Sequence, residues 1–359
     1  MKKLTPSRKR LVNNSITYGI VIAAFVILQV LGGGGMLSSS IRGQLVPICA
    51  YVVMAIALNL VVGISGELSL GHAGFMSVGA FSGVVAAISL QSIIPNDTLR
   101  LVVAMVIGAL LAGVAGVIVG VPVLRLRGDY LAIVTLAFGE IIRNIFNVLY
   151  VGVDANGLHF SLKNEMALGL EEGGTAILKG PMGFTANTKL ATFTAGFILI
   201  LITLTVALNL IHSRTGRAIM ALRDNRIAAE SVGIGATQYK LTAFVTSAVL
   251  AGAAGVLYAM NYSSLAPKKF DFNTSILILV FVVLGGIGNI RGSIIAAAFL
   301  TYLPELLRTF DLDEYRMLVY AIVLILVMLV TNNPTLRSLF TFSGRRARKE
   351  EAQKGGAAQ

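Results

Sequence analysis

The chain has 359 residues, of which 56% are hydrophobic and only 13% are charged, and its mean hydropathy is +0.82. A soluble protein of this size cannot hide that much apolar surface, so the composition predicts an integral membrane protein. The formal net charge of +12 does not indicate nucleic-acid binding, because the basic residues cluster at the termini and between apolar runs. The single cysteine, Cys49, excludes an internal disulfide and a cysteine-based metal site.

Ten apolar runs predict an all-α polytopic bundle of about ten transmembrane helices, with the N-terminus and the C-terminus inside. The runs cover residues 16–31, 44–63, 76–90, 99–121, 130–150, 190–211, 241–260, 275–284, 293–303 and 317–330. Most of the 29 basic residues then fall in segments on the inner side, which supports this topology. In the fourth run, Gly116 and Gly120 have the spacing that permits close helix contact.

The runs divide the chain into a cytoplasmic N-terminal arm (1–15), a membrane domain (16–331) and a cytoplasmic C-terminal tail (332–359). Residues 151–188 are glycine-rich with acidic patches, and we expect them to form the main extracytoplasmic loop. Residues 213–236 are basic and lie between two apolar runs, so they are expected on the cytoplasmic face.

A short helix is predicted inside this basic connection, from Arg226 to Val232. Asp224 or Asn225 can cap its start by accepting a hydrogen bond from a backbone N–H, and Gly233 can end it in a left-handed turn. A short exposed helix in a fixed loop is suited to docking another protein. The simpler interpretation is a positive-inside loop whose helix lies on the lipid surface.

The stretch from Gly63 to Phe75 interrupts the hydrophobic pattern with glycines and with Glu67, Ser69 and His72. Irregular backbone at membrane depth is tolerated only inside protein or beside water, so these residues are candidates for a translocation path. A plain cytoplasmic turn between two spans is the other interpretation.

A second polar interruption consists of Glu140 and Arg143 in the fifth run. Their i, i+3 spacing places them on one helix face, where they can pair. Ionisable residues inside a membrane span either face a cavity, which makes this pair a candidate for the translocation path, or lock the packing of helices.

Motifs for enzymatic chemistry are absent from the sequence: there is no GxxxxGK[ST], no HExxH and no GxSxG. We therefore expect no ATP site on this chain. Transport, conduction and scaffolding remain as possible functions. An ion-coupled secondary transporter with Glu140 and Arg143 as a relay is disfavoured, because such transporters usually need several intramembrane ionisable residues.

Four stretches resemble the membrane permeases of branched-chain amino acid ABC importers, in particular their LivM-type subunit. They are SGELSLGHAGFMSVGA (65–80), GDYLAIVTLAFGEIIRNI (128–145), SRTGRAIMALRDNRIAAESVGI (213–234) and VVLGGIGNIRGSIIAAAFLTYLPELLR (282–308). The resemblance extends from about residue 45 to about residue 330. It departs from the family at SSLAPKKFDF (263–272), where Lys268 and Lys269 replace a more acidic sequence.

The resemblance implies a multi-pass permease of a bacterial inner membrane that imports leucine, isoleucine and valine, with urea, amides or other small amino acids as alternatives. The implied partners are a LivH-like second permease, two cytoplasmic ATPase subunits, an extracytoplasmic substrate-binding protein and membrane lipid, but no nucleic acid. This chain would bind no cofactor, and the ATPase subunits would use ATP and Mg. The ATPase would dock on Arg223, Asp224, Asn225, Ala228, Ala229, Glu230 and Gly233.

Overall fold

The computed structural model of the chain describes residues 6–33, 38–126, 128–154, 157–171, 173–185 and 189–309, and five single positions beyond (318, 321, 322, 325 and 329). Up to residue 309 the described chain is mostly helical. The helices are α1 Pro6–Gly33, α2 Ser39–Asn59, α3 His72–Ser89, α4 Asp97–Val123, α5 Asp129–Val148, α6 Phe193–His212, α7 Arg214–Asp224, α8 Arg226–Ser231, α9 Ala236–Ala259, α10 Phe272–Gly285 and α11 Ile290–Thr309.

Eight of the described helices are long and apolar enough to cross a membrane, namely α1 to α6, α9 and α11. The ninth apolar helix, α10, has only 14 residues. The mostly helical membrane architecture predicted from the sequence is thus confirmed. The tenth predicted run (317–330) lies largely outside the described residues, as does the whole tail (332–359), so the count of ten and the inner placement of both termini stay predictions.

The chain segment predicted as a loop, residues 151–188, contains most of a small antiparallel sheet. Its strands are β1 Tyr150–Asp154, β2 Gly157–Ser161, β3 Thr175–Lys179, β4 Phe184–Thr185 and β5 Ser264–Leu265, in the order β2-β1-β3-β4-β5. The all-α prediction therefore holds for the membrane helices only. Strands this short carry too little alternation to stand out from a glycine-rich loop, and β5 comes from a distant part of the chain.

The chain connections show which elements lie at each end of the helical bundle. Helix α6 leads from the sheet to α7, and α9 leads from α8 back to β5. The sheet and the α7–α8 pair therefore lie at opposite ends, as expected if residues 151–188 and 213–236 face opposite sides of the membrane. We call these the sheet end and the α7 end.

Small residues let α3, α4 and α9 pack with their backbones close together. A Cβ added at Gly79 of α3 would lie 2.1 Å from the carbonyl oxygen of Gly252 in α9. On α4, a Cβ at Gly116 would lie 2.7 Å from the Cβ of Ala248 in α9. A Cβ at Gly120 would lie 2.7 Å from Cδ1 of Leu241, also in α9. The close contact predicted from the glycine spacing is confirmed, and it provides the packing that hydrophobic burial cannot supply between helices in lipid.

We expect Gly255→Val to destabilise this packing severely. A Cβ at Gly255 would lie 2.0 Å from the carbonyl oxygen of Met76, and a backbone group cannot move aside as a flexible side chain can. Overpacking of a well-packed interior costs about 1–3 kcal/mol and occasionally more, so thermal unfolding in detergent should begin several degrees lower.

The matched control is Gly19→Val in α1, where an added Cβ meets no atom of the described part of the chain within 4 Å. Equal unfolding temperatures for the two variants would contradict the packing described for α3 and α9.

Candidate functional site

The short helix α8 is held at both ends by the residues that the sequence indicated. Asn225 ends α7 and caps α8, because its Oδ1 accepts a hydrogen bond from the backbone N–H of Ala228 at 3.0 Å. Gly233 follows the helix with a left-handed φ of 86°, and its N–H donates to the carbonyl of Glu230 at 3.0 Å. The predicted helix, its Asn225 cap and its glycine end are confirmed, although the helix ends at Ser231.

The inner side of α8 packs against its neighbouring helices. Leu222 of α7, Ala229 of α8 and Ala236 of α9 form one buried cluster, against which Ile234 and Tyr239 pack. Ala229, one of the expected docking residues, therefore supports the helix from inside and is not on its outer surface.

The outer side of α8 presents apolar side chains to solvent. Ile227 is 80% exposed and Val232, directly after the helix, is 76% exposed. On the same helix Arg226 and Glu230 form an i, i+4 ion pair at 2.8 Å. The resemblance to known permeases did not single out Ile227 or Val232. Helical spacing identifies Ile227, because it lies two residues from the inward-facing Ala229 and so on the opposite side of the helix.

Arg223 connects the α7–α8 pair to the end of α2. Its Nη1 donates a hydrogen bond to the carbonyl oxygen of Gly63 at 2.8 Å. Its Nε and Nη2 donate to Oδ1 of Asp224 at 3.1 and 2.9 Å. Two of the expected docking residues thus contact each other, and one of them also contacts the membrane helices.

The polar stretch from Gly63 to Phe75 is a packed turn between α2 and α3 at the α7 end. Helix α2 continues as a π-helix over Leu60–Ser65, and the left-handed Gly66 ends it with a φ of 72°. Glu67 then forms an ion pair with Lys240 of α9, and their side chains are only 15% and 8% exposed. The backbone N–H of Leu70 donates to Oγ1 of Thr135 in α5 at 3.1 Å. Each part of the turn is thereby tied to a different helix.

His72 is buried at the start of α3 and uses both ring nitrogens inside the protein. Its Nδ1 lies 3.2 Å from Oγ of Ser69, and its Nε2 lies 2.6 Å from Oγ of Ser247 in α9. Because the Ser247 hydroxyl donates its hydrogen to the carbonyl of Ala57, it can only accept from the ring. The ring proton therefore sits on Nε2, and Nδ1 accepts from Ser69. This arrangement favours a packing role for Ser69 and His72, while their place in a translocation path stays a prediction.

Asn59, which the sequence did not single out, ties the same end of α2 to the turn between α10 and α11. Its Nδ2 donates to Oγ of Ser293 at 2.8 Å, and its Oδ1 accepts from the N–H of Gly288 at 3.0 Å. The approach is close, since a Cβ at Gly63 would lie 2.5 Å from the Gly288 nitrogen. No local pattern marks Asn59, because its partners are 229 and 234 residues away along the chain.

Glu140 and Arg143 form the ion pair that their spacing predicted, at 2.6 Å on α5. Their side chains remain 33% and 25% exposed, unlike those of the packed turn. Asn144 and Asn147, at i+4 and i+7 from Glu140, continue the same face toward the sheet end. Glu140 and Glu67 therefore have separate partners, one on a half-exposed helix face and the other in the interior.

At the sheet end, two features are exposed. The edge strand β2 and the residue after it expose an alternating apolar row, Leu158, Phe160 and Leu162. Lys268 and Lys269, where the sequence departs from the family pattern, lie exposed in a 3-10 helix over Pro267–Phe270 that follows β5. Both features lie on the side on which a substrate-binding protein is expected.

Comparison with known proteins gives a consistent group of relatives. The family model described as "Branched-chain amino acid transport system / permease component" matches residues 40–328. The high-affinity branched-chain amino acid transport system permease protein LivM of Escherichia coli is 36% identical over 293 residues, which cover 78% of this chain and 66% of that protein. The ribose import permease protein RbsC of Escherichia coli is 30% identical over 288 residues, with 78% and 81% covered. The permease protein LivH of Salmonella typhimurium is 27% identical over 291 residues, with 78% and 89% covered.

The matches to LivM cover only part of those proteins. The chain spans 66% of the length of the LivM proteins of Escherichia coli and Salmonella typhimurium, slightly less than two thirds. No solved structure matches the chain.

Proposed function

Because the chain belongs to the family of permease components of branched-chain amino acid transport systems, we propose that it forms part of the membrane pathway of an ATP-driven importer of leucine, isoleucine and valine. Its proposed partners are a LivH-like second permease, two cytoplasmic ATPase subunits and an extracytoplasmic substrate-binding protein. The ATPase subunits bind ATP and Mg and supply the energy. The substrate class is supported by the family description and by the relative LivM.

The observation that carries the proposal is the outer surface of α8. Helix α8 is capped and packs through Ala229 against α7 and α9, and Ile227 and Val232 are exposed to solvent. Fully covering a Val or Ile side chain contributes about 1.5–3 kcal/mol, so these two residues are a favourable contact for a partner groove. The ATPase binds here, with Ile227 and Val232 as its apolar contacts and the Arg226–Glu230 ion pair on the same helix.

The translocation path runs along the polar face of α5. An ion pair within a membrane span is too costly to leave facing lipid, so a half-exposed one must be covered by another protein or by water. Glu140 and Arg143 are in this position, and Asn144 and Asn147 extend the polar face. The second permease therefore stands opposite α5, with the path between the two chains.

We expect Ile227→Asp and Val232→Asp to weaken binding of the ATPase. Each removes an apolar contact and buries a carboxylate in the interface, so ATPase recovery with the tagged chain should fall about tenfold or more, equivalent to about 1.4 kcal/mol. The measurement is affinity purification of the complex from membranes, followed by uptake of radiolabelled leucine.

Ile93→Asp serves as the control, because Ile93 is also an exposed isoleucine but lies between α3 and α4, at the end opposite α8. Full ATPase recovery with both α8 variants would contradict docking at α8. Normal recovery in the wild type without leucine uptake would instead exclude the proposed substrate, and ligand screening of the binding protein would then identify the correct one.

The proposed path can be tested with a single cysteine, because Cys49 is the only one in the chain and is buried. In a Cys49→Ala background, Asn144→Cys in the assembled importer should react with a membrane-impermeant thiol reagent about tenfold faster than Ile145→Cys. A thiol in water ionises to the reactive thiolate, whereas a thiol in an apolar environment does not.

Ile145 is the matched control, since it is exposed on the apolar side of the same helix at nearly the same depth. Equal rates at the two positions would contradict a water-filled path along the face of Asn144.

A further inference from the structure

The last turn of α2 is held in an unusual conformation next to the docking element. Residues Leu60–Ser65 form a π-helix and are all buried. The N–H of Gly66 donates to the carbonyl of Val61, five residues earlier. Single π turns are rare and are frequently found at functional sites. Such a turn contains one residue more than an α-helical turn, so its conversion to α-helix shifts the following chain by about one residue.

Arg223 holds this π turn from the side of α7. Besides its hydrogen bond to the Gly63 carbonyl, its stem crosses the glycine that ends the turn, since a Cβ at Gly66 would lie 2.6 Å from Cγ of Arg223. The same guanidinium contacts Asp224, which directly precedes the Asn225 cap of α8. One side chain therefore joins the end of α2 to the base of the docking helix.

The ion pair of Glu67 and Lys240 forms a second tie at the same place. Glu67 directly follows Gly66, and Lys240 lies in the second turn of α9, which continues from α8. The pair is largely buried, so separating the two charges leaves each without compensation in an apolar environment. The pair therefore resists separation, so a displacement of Lys240 also displaces Glu67.

The docking element has apolar packing that is separate from these two contacts. The buried cluster of Leu222, Ala229 and Ala236 holds α7, α8 and α9 together through apolar contacts of its own. Arg223 is 39% exposed along its side chain and is not part of that cluster. Its removal should therefore leave α8 in place while disconnecting it from α2.

We propose that Arg223 and the Glu67–Lys240 pair form a latch that transmits movement of α8 to the π turn of α2 and, through residues 67–71, to the start of α3. The inference rests on the proposed function, in which an ATPase moves α8. When α8 shifts, the latch pulls on the Gly63 carbonyl and on Glu67, and the π turn changes register. Asn59 and the Ser69–His72–Ser247 hydrogen bonds carry the shift to the α10–α11 turn and to α9.

The test uses the complete importer with its binding protein in proteoliposomes, with leucine as the transported probe. ATP hydrolysis and leucine uptake are measured in the same vesicles. Arg223→Ala should retain the ATPase at wild-type stoichiometry, but the ATP consumed per leucine should rise about tenfold, within the range of coupling between distant sites. Arg217→Ala is the matched control, because it removes the same charge from α7 and the Arg217 guanidinium donates its hydrogen bond to the His212 carbonyl, at 3.1 Å.

The ion pair is tested by charge reversal. Glu67→Lys and Lys240→Glu should each raise the ATP consumed per leucine, and the double variant should restore much of the coupling because it re-forms the pair in the opposite sense. Arg223→Lys, which keeps the charge but lacks the planar group that reaches both Gly63 and Asp224, should be impaired as Arg223→Ala is.

The outcomes separate the latch from the proposed function. A wild-type complex that contains no ATPase or takes up no leucine overturns the proposed function, and the latch with it. A working wild type in which Arg223→Ala keeps the normal ratio of ATP to leucine overturns the latch alone. So does loss of the ATPase from Arg223→Ala, which would make Arg223 a docking residue, or failure of the charge-reversed pair to restore coupling.

Discussion

The structure depends on one constraint at the break between α2 and α3: polar groups buried away from water must find partners inside the protein. The π turn over Leu60–Ser65 and the chain after it present carbonyls, N–H groups and polar side chains to the interior. Several of these groups find partners on other elements: the Gly63 carbonyl bonds Arg223 of α7, and Glu67 and His72 bond Lys240 and Ser247 of α9. Asn59, directly before the π turn, bonds the Gly288 turn before α11, whereas the buried Ser65 hydroxyl has no partner among the described residues. The hydrogen bonds and the ion pair that compensate the polar groups at this break therefore also attach the docking element to the membrane helices.

The polar groups of α5 are more exposed than those at the break between α2 and α3, and this difference indicates which surface of the chain contacts a partner. At the break between α2 and α3, the ion pair of Glu67 and Lys240 is enclosed by the chain itself. On α5, the pair of Glu140 and Arg143 is compensated internally but stays open on one side of a membrane helix. The first arrangement belongs to the interior of a finished subunit, and the second to a surface that another chain or a water-filled path must complete.

Local features of the fold were predictable from the sequence, because they depend on residues within one or two helical turns of each other. Hydrophobic runs predicted the membrane helices, and glycine spacing predicted the close contact of α4. In the docking loop, the Asn225 cap and the Gly233 turn are properties of short polar and glycine residues at helix ends. Pairing of Glu140 with Arg143 follows from helical geometry alone.

Tertiary structure decided which of these residues face a partner and which support the site. The resemblance to known permeases grouped Ala229 with the docking residues, yet packing turned it inward and left Ile227 exposed. The partner of Glu67 is 173 residues away, and β5 joins the sheet from beyond α9, so neither leaves a local trace in the sequence. Composition and periodicity determine that a helix forms and crosses a membrane. Only the packing of distant helices against one another determines the surroundings of each polar side chain, because burial and partner choice are properties of the assembled interior.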